Sequence, residues 1–145
     1  MTAPTLGADD RAAITEVLTR YATGIDTRDW DLFRTVFTAD VDADYGKVGA
    51  WRGVDEITDV MTAIHEPCGA TMHRLTNIVI AAAGPDRAQA RTYVNAIVMG
   101  PDDFGGVSAN GFYDDELVRT SDGWRIARRR YTEVHTALMP ERLTF

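Results

Sequence analysis

The sequence predicts an α+β domain in which three helices lie on one face of a strongly curved, mostly antiparallel sheet and close a pocket against it. Apolar residues recur at helical spacing from Ile14 to Ile64, and β-rich segments fill the chain after Gly69. Each later segment holds about 12 residues and would reach roughly 40 Å if straight. That is too long for a domain of 145 residues unless the sheet bends. A bent sheet covered by helices is a cone with a hollow interior.

Ile14, Val17, Leu18, Tyr21 and Ile25 form one apolar stripe, with Asp9 and Asp10 at the positive end of the helix they predict. Asp29 is placed to cap a second, shorter helix carrying Trp30, Leu32, Phe33, Val36 and Phe37, which leaves Asp26 at the junction between the two. Val41 to Tyr45 alternates as a short strand does, and Gly46 and Gly49 mark a turn before Trp51, so a first hairpin is expected. Val54, Ile57, Val60, Met61 and Ile64 predict a third helix, stopped by Pro67. Four long strands follow over Thr71–Ala82, Ala88–Met99, Ser108–Arg119 and Trp124–His135. Gly84-Pro85-Asp86, the glycine-bounded stretch from Gly100 to Gly106, and Ser121-Asp122-Gly123 separate them. All five prolines fall between the predicted elements. The whole chain, 1–145, reads as one domain with a core over about 9–136.

A hydrophobic fraction of 45% with 26% charged residues fits a folded globule rather than a disordered chain. The net charge of -7 argues against nucleic acid as a partner. The one basic cluster, Arg128-Arg129-Arg130, is split between two strand faces by alternation. With Cys68 alone there is no intrachain disulfide. No apolar stretch is long enough to span a membrane, and Met1 to Asp10 lacks the features of a signal peptide, so a cytoplasmic protein without membrane partners is expected. The histidines show no close pairing, which points away from a metal site. The acidic spacing Asp40, Asp42, Asp44 lacks the closing glutamate of a calcium loop. With no glycine-rich phosphate cradle either, the expected chemistry uses no cofactor.

Two polar residues stand where the apolar pattern leads one to expect packing: Asp26, closing the first helix, and His73, interrupting the strand Thr71-Met72-His73-Arg74-Leu75-Thr76-Asn77. A neutral imidazole, with an unperturbed pKa near ~6.5, can accept and return a proton near neutrality. A carboxylate on one ring nitrogen fixes the tautomer and supports the imidazolium. Alternation places Asn77 on the strand face of His73, where its amide can donate to a substrate oxygen. His65 and His135 fall at element ends, where exposure is the ordinary outcome.

The helix ending Tyr21-Ala22-Thr23-Gly24-Ile25-Asp26 before Trp30, the strand from Thr71 to Asn77, and the closing Asp122-Gly123-Trp124-Arg125-Ile126-Ala127-Arg128-Arg129-Arg130 together resemble the SnoaL-like group of the nuclear transport factor 2-like superfamily. Within it, the similarity is to the branch of scytalone dehydratase and hexachlorocyclohexane dehydrochlorinase. The resemblance runs from about Asp9 to about Thr136. It implies an α+β cone in which His73 takes a proton from carbon while Asp26 orients and charges it. It also implies hydroxyl groups that polarise a substrate carbonyl, for which Tyr21 and Tyr45 are available, and a cation aiding the leaving group, for which Arg129 is the candidate. Trp30 belongs to the aromatic set suited to lining the cavity.

These features point to a cofactor-independent lyase of the dehydratase type, or an isomerase, acting on a small hydrophobic, cyclic or carbonyl-containing molecule. The resemblance also implies a homodimer or homotrimer. The same cone serves non-catalytic ligand-binding or assembly modules and small subunits of larger oxygenases, so those readings stand beside the enzyme.

Overall fold

The computed structural model describes residues 5–140. Helix α1 spans Ala8–Asp26, α2 Trp30–Arg34 and α3 Val54–His65; the strands are β1 Phe37–Asp44, β2 Ala50–Arg52, β3 Thr71–Gly84, β4 Arg87–Met99, β5 Gly106–Thr120 and β6 Gly123–Met139. They form one six-stranded sheet in the order β2-β1-β6-β5-β4-β3. Every neighbouring pair is antiparallel except β1 with β6. The result is the expected α+β cone, with a mixed sheet that curves without closing.

The second helix is shorter than its apolar spacing suggests. Asp29 does cap it, accepting from the Leu32 N–H at 2.9 Å, but the helix stops at Arg34 and Phe37 opens β1. The Val36 carbonyl is taken by the Ile126 N–H of β6 at 2.8 Å. Sheet pairing therefore claims Val36 and Phe37, whose β-branched and aromatic side chains suit a strand.

Register shifts bend the long strands. β3 shifts register between Thr76 and Val79, and the β5–β6 ladder shifts between Asn110 and Gly111 and again between Glu116 and Leu117. Each extra residue sharpens the local twist and reverses which residues face inward beyond it. Packed into the concave side are Ile14, Leu18 and Ile25 of α1, Phe33 of α2 and Ile57 of α3, against Val41, Leu117 and Ile126 of the sheet, all fully buried. The start of α1 is fixed to the sheet by Asp10, whose two oxygens accept from Arg119 at 2.8 and 3.0 Å and from the Trp124 indole at 3.1 Å.

The far end of the cone is less filled, because β4 and β5 present Val94, Ala96, Val98 and Ala109 there instead of larger side chains. Small residues at this position leave the hollow. Among the described residues no helix is long and apolar enough to cross a membrane.

Gly111 sits at one bulge, where an added Cβ would overlap the Thr132 carbonyl and crowd the Tyr131 ring. The Gly111→Ala variant is expected to lose about 1–3 kcal/mol of stability through overpacking. Urea denaturation checks this: the midpoint should fall with an unchanged slope.

Candidate active site

The turn after α1 carries the acid of the site. Arg28 adopts a left-handed conformation (φ 57°) that redirects the chain toward α2. Its guanidinium ties the helix end to the start of β3, donating from Nη1 to the Ile25 carbonyl at 2.7 Å and the Thr71 hydroxyl at 2.8 Å, and from Nη2 to the Gly69 carbonyl at 2.8 Å. Asp26 and β3 are thereby held face to face.

Asp26 accepts three hydrogen bonds across this junction. Oδ1 receives the Thr71 hydroxyl at 2.9 Å and His73 Nδ1 at 2.7 Å, while Oδ2 receives the His73 backbone N–H at 2.8 Å. Partial burial works to raise the Asp26 pKa, but the side-chain and backbone donors of His73, its charge and Thr71 outweigh burial and hold the carboxyl below its ordinary range. An ionised Asp26 can only accept, so Nδ1 carries the proton and Nε2 is left as the acceptor. The imidazole is 8% exposed.

That imidazole lines an apolar cavity of about 160 Å³. Its walls are Tyr21 and Ile25 of α1, Met61, Ile64 and His65 of α3, the small residues of β4 and β5, and Tyr113 and Tyr131 of β5 and β6. Tyr45 and Val48 close it from the β1–β2 turn. An engineered protein cavity of about 150 Å³ admits benzene, so this one has room for a single ring.

Three phenols converge at its inner end. The Tyr45 hydroxyl donates to the Tyr21 oxygen at 3.0 Å, and Tyr113 reaches the same oxygen at 3.5 Å. The Tyr21 ring stands edge-on to His73 with centroids 6.2 Å apart. Burial is the main reason that all three phenols titrate above their usual range, so they remain neutral donors.

Asp26, His73, Tyr21 and Tyr45 thus come together as the sequence suggests, and three other candidates do not. Asn77 adopts φ 52° at the β3 bulge, which resets the alternation; Ile78 turns inward in its place and Asn77 is exposed, away from the cavity. Arg129 is inward-facing but sealed behind the phenols with no exposed surface, so it touches nothing in the cavity directly. Trp30 packs on Phe33 and His65, with ring centroids at 5.5 and 6.0 Å, and supports the wall without lining it.

His65 is the residue that its position at an element end conceals. It is buried, its ring lies 6.5 Å from that of His73, and Nδ1 donates to the Met61 carbonyl at 2.8 Å, leaving Nε2 as an acceptor. Burial, opposed by the Met61 carbonyl and aided by the Arg28 and His73 charges, lowers its pKa and keeps it neutral. The sequence signal was available: His65 falls one turn after Met61, on the buried stripe of α3.

Residues 7–130 match the SnoaL-like domain. The chain belongs to the SnoaL-like family. Its fold is shared with a candidate aromatic ring hydroxylase from Novosphingobium aromaticivorans, 29% identical, with a TM-score of 0.84 over 92% of this chain and 94% of that one. A candidate scytalone dehydratase from the same species is 22% identical, with a TM-score of 0.82 over 89% and 87% of the two chains. A hexachlorocyclohexane dehydrochlorinase is 17% identical, with a TM-score of 0.83 over 90% and 89%. The last two similarities are of fold. The SnoaL-like match carries the nuclear transport factor 2-like superfamily with it, and the cone is one also seen in dehydratase and dehydrochlorinase proteins.

Because the folded Asp26 titrates below the ordinary carboxyl value of about 3.9, its ionised form stabilises the protein above that pH, and this contribution is lost as pH falls through the folded pKa. Asp26→Asn is expected to be less stable than the parent by about 1–3 kcal/mol at neutral pH, the worth of hydrogen bonds to a charged acceptor. The gap should close as pH drops below about 4. Urea unfolding of both proteins at pH 7 and pH 3 measures it.

Proposed function

We propose that this protein is a cofactor-independent lyase in which His73, oriented by Asp26, removes a proton from the carbon next to a carbonyl of a single-ring hydrophobic substrate, with loss of water. The observation that carries this reading is the imidazole of His73, locked by a carboxylate on one nitrogen, with its other nitrogen free in an apolar cavity of one-ring size.

The C–H electron pair moves into the ring as the proton passes to Nε2, and the charge that develops on the carbonyl oxygen is met by the hydroxyl of Tyr21, backed by Tyr45. When that charge collapses to form the carbon–carbon double bond, the hydroxyl on the adjacent carbon departs and takes the proton from Nε2, releasing water. His73 ends neutral, as it began. If the proton returns instead to another carbon of the same ring, the same groups isomerise the substrate. Asp26 fixes the tautomer of the imidazole and supports the imidazolium formed during transfer. General-base help of this kind is worth about 10² to 10⁴ in rate. The fold shared with dehydratase and dehydrochlorinase proteins supports elimination as the reaction type.

Single-ring hydroxyketones are the substrates to test, followed by absorbance of the conjugated product. His73→Ala is expected to keep its circular dichroism and lose at least about 10²-fold in kcat. Asp26→Asn, which upsets the tautomer, is expected to lose about 10² to 10⁴, with ¹⁵N NMR showing His73 no longer held as the Nδ1–H form. Full turnover in a folded His73→Ala protein would falsify the proposal. A parent protein that binds these ketones and returns them all unchanged would instead favour a ligand-binding module.

A further inference from the structure

Arg129 is the largest fully buried side chain among the described residues. Its Nε and Nη2 donate to the two oxygens of Asp115, each at 2.8 Å, and both side chains are wholly shielded from solvent. The guanidinium lies against two phenol rings set edge-on to each other, its carbon 4.2 Å from the Tyr21 ring centroid and 3.9 Å from that of Tyr113. Its remaining nitrogen, Nη1, donates to no acceptor among the described residues. A buried ion pair of this kind is a weak source of stability, since well-packed apolar side chains of similar volume serve as well or better.

Asp115 occupies the Nε and Nη2 edge of the guanidinium, and the two phenol rings lie beside it. Arg129 remains charged because the Asp115 carboxylate and the phenols more than offset the cost of burial. Its charge therefore lies against two of the phenols that line the cavity. The Tyr45 hydroxyl feels this charge, which opposes the effect of burial on it. Tyr45 in turn donates to Tyr21, and Tyr113 reaches the same oxygen, so the three hydroxyls meet at Tyr21.

We propose that Arg129 is a positioning residue: paired with Asp115 and acting through Tyr45 and Tyr113, it polarises Tyr21 into the donor that holds a planar, one-ring oxyanion in the cavity. This rests on the proton-abstraction reading, which requires such an oxyanion opposite His73, and it reassigns Arg129 from a leaving-group contact to the carbonyl side of the reaction. Because Asp115 neutralises the guanidinium, the cavity admits an uncharged ketone. The cation over the phenol faces then strengthens donation as negative charge forms.

The probe is 4-nitrophenol, one ring whose ionised fraction is read by absorbance. Measurements use the His73→Ala background, so that no imidazolium supplies the counter-charge. That protein is expected to bind the phenolate more tightly than the phenol, shifting the titration of the bound probe to lower pH. Tyr45→Phe, and separately the apolar replacement Arg129→Met with Asp115→Leu, should each reduce the preference for phenolate over phenol by about tenfold or more, while binding of the neutral phenol persists. Arg129→Lys with Asp115 intact should restore part of it.

An unchanged preference in either Tyr45→Phe or the double replacement overturns the proposal and leaves the ion pair a packing element only. Tyr45→Phe keeps the question open to measurement if the double replacement does not fold. The two readings fail separately. Full turnover by His73→Ala defeats proton abstraction, whereas a phenolate preference indifferent to Arg129 and Tyr45 defeats only the polarising role.

Discussion

The Asp26 carboxylate is where helices and sheet are joined into a site. An acidic residue in the last turn of a helix opposes the negative end of the helix dipole, and burial adds to that cost. Three donors from β3 offset both. One of them, the His73 backbone N–H, belongs to an edge strand, since β3 ends the sheet order. An edge N–H needs a partner other than a neighbouring strand, and here Asp26 supplies it. The same contact that satisfies the sheet edge fixes the imbalance at the helix end, and Arg28 draws the two segments together from the other side.

This junction determines where the imidazole points, while the bulges and the small residues of β4 and β5 determine what it points into. Without the register shifts the long strands would run on past the helices. With larger side chains at Val94, Ala96 and Ala109, the inner end of the cone would be filled as densely as the region around Ile14, Leu18 and Leu117. The hollow is therefore a consequence of sequence at two levels, strand curvature and side-chain volume, and neither alone produces it.

Much of this was legible in the chain. The apolar spacing located all three helices, the turn chemistry located all four long strands, and Asp26 and His73 stood out because each breaks an apolar pattern. Other features were hidden for physical reasons. Asn77 was misplaced because strict alternation holds only up to a bulge, and an asparagine that tolerates left-handed backbone is what allows the bulge there. Val36 and Phe37 were read as helix because their apolar spacing fits one, and only the contact with β6 decides against it. His65 was hidden by its place at the end of α3, and the burial of Arg129 by the distance in sequence to its partner Asp115. What pulls Arg129 inside is Asp115, directly beside it on the neighbouring strand of the sheet.

The two ionic groups of the inner cone differ in a way that matters for proton transfer. Asp26 is held by hydrogen-bond donors and lies against the His73 imidazole, whereas Arg129 is already paired with a carboxylate. Moving a proton from an uncharged substrate to His73 creates one positive and one negative charge inside an apolar cavity, where isolated charges are costly. The positive charge would form 2.7 Å from the Asp26 oxygen. The negative one would form beside phenols stacked on a guanidinium. Both compensating groups are fixed by the fold in advance, so little reorganisation would accompany the proposed proton transfer, and such preorganisation is commonly the largest contribution to catalysis. An apolar cavity that holds a stabilising group for each sign of charge suits transient separation of charge better than binding of a ligand that arrives charged.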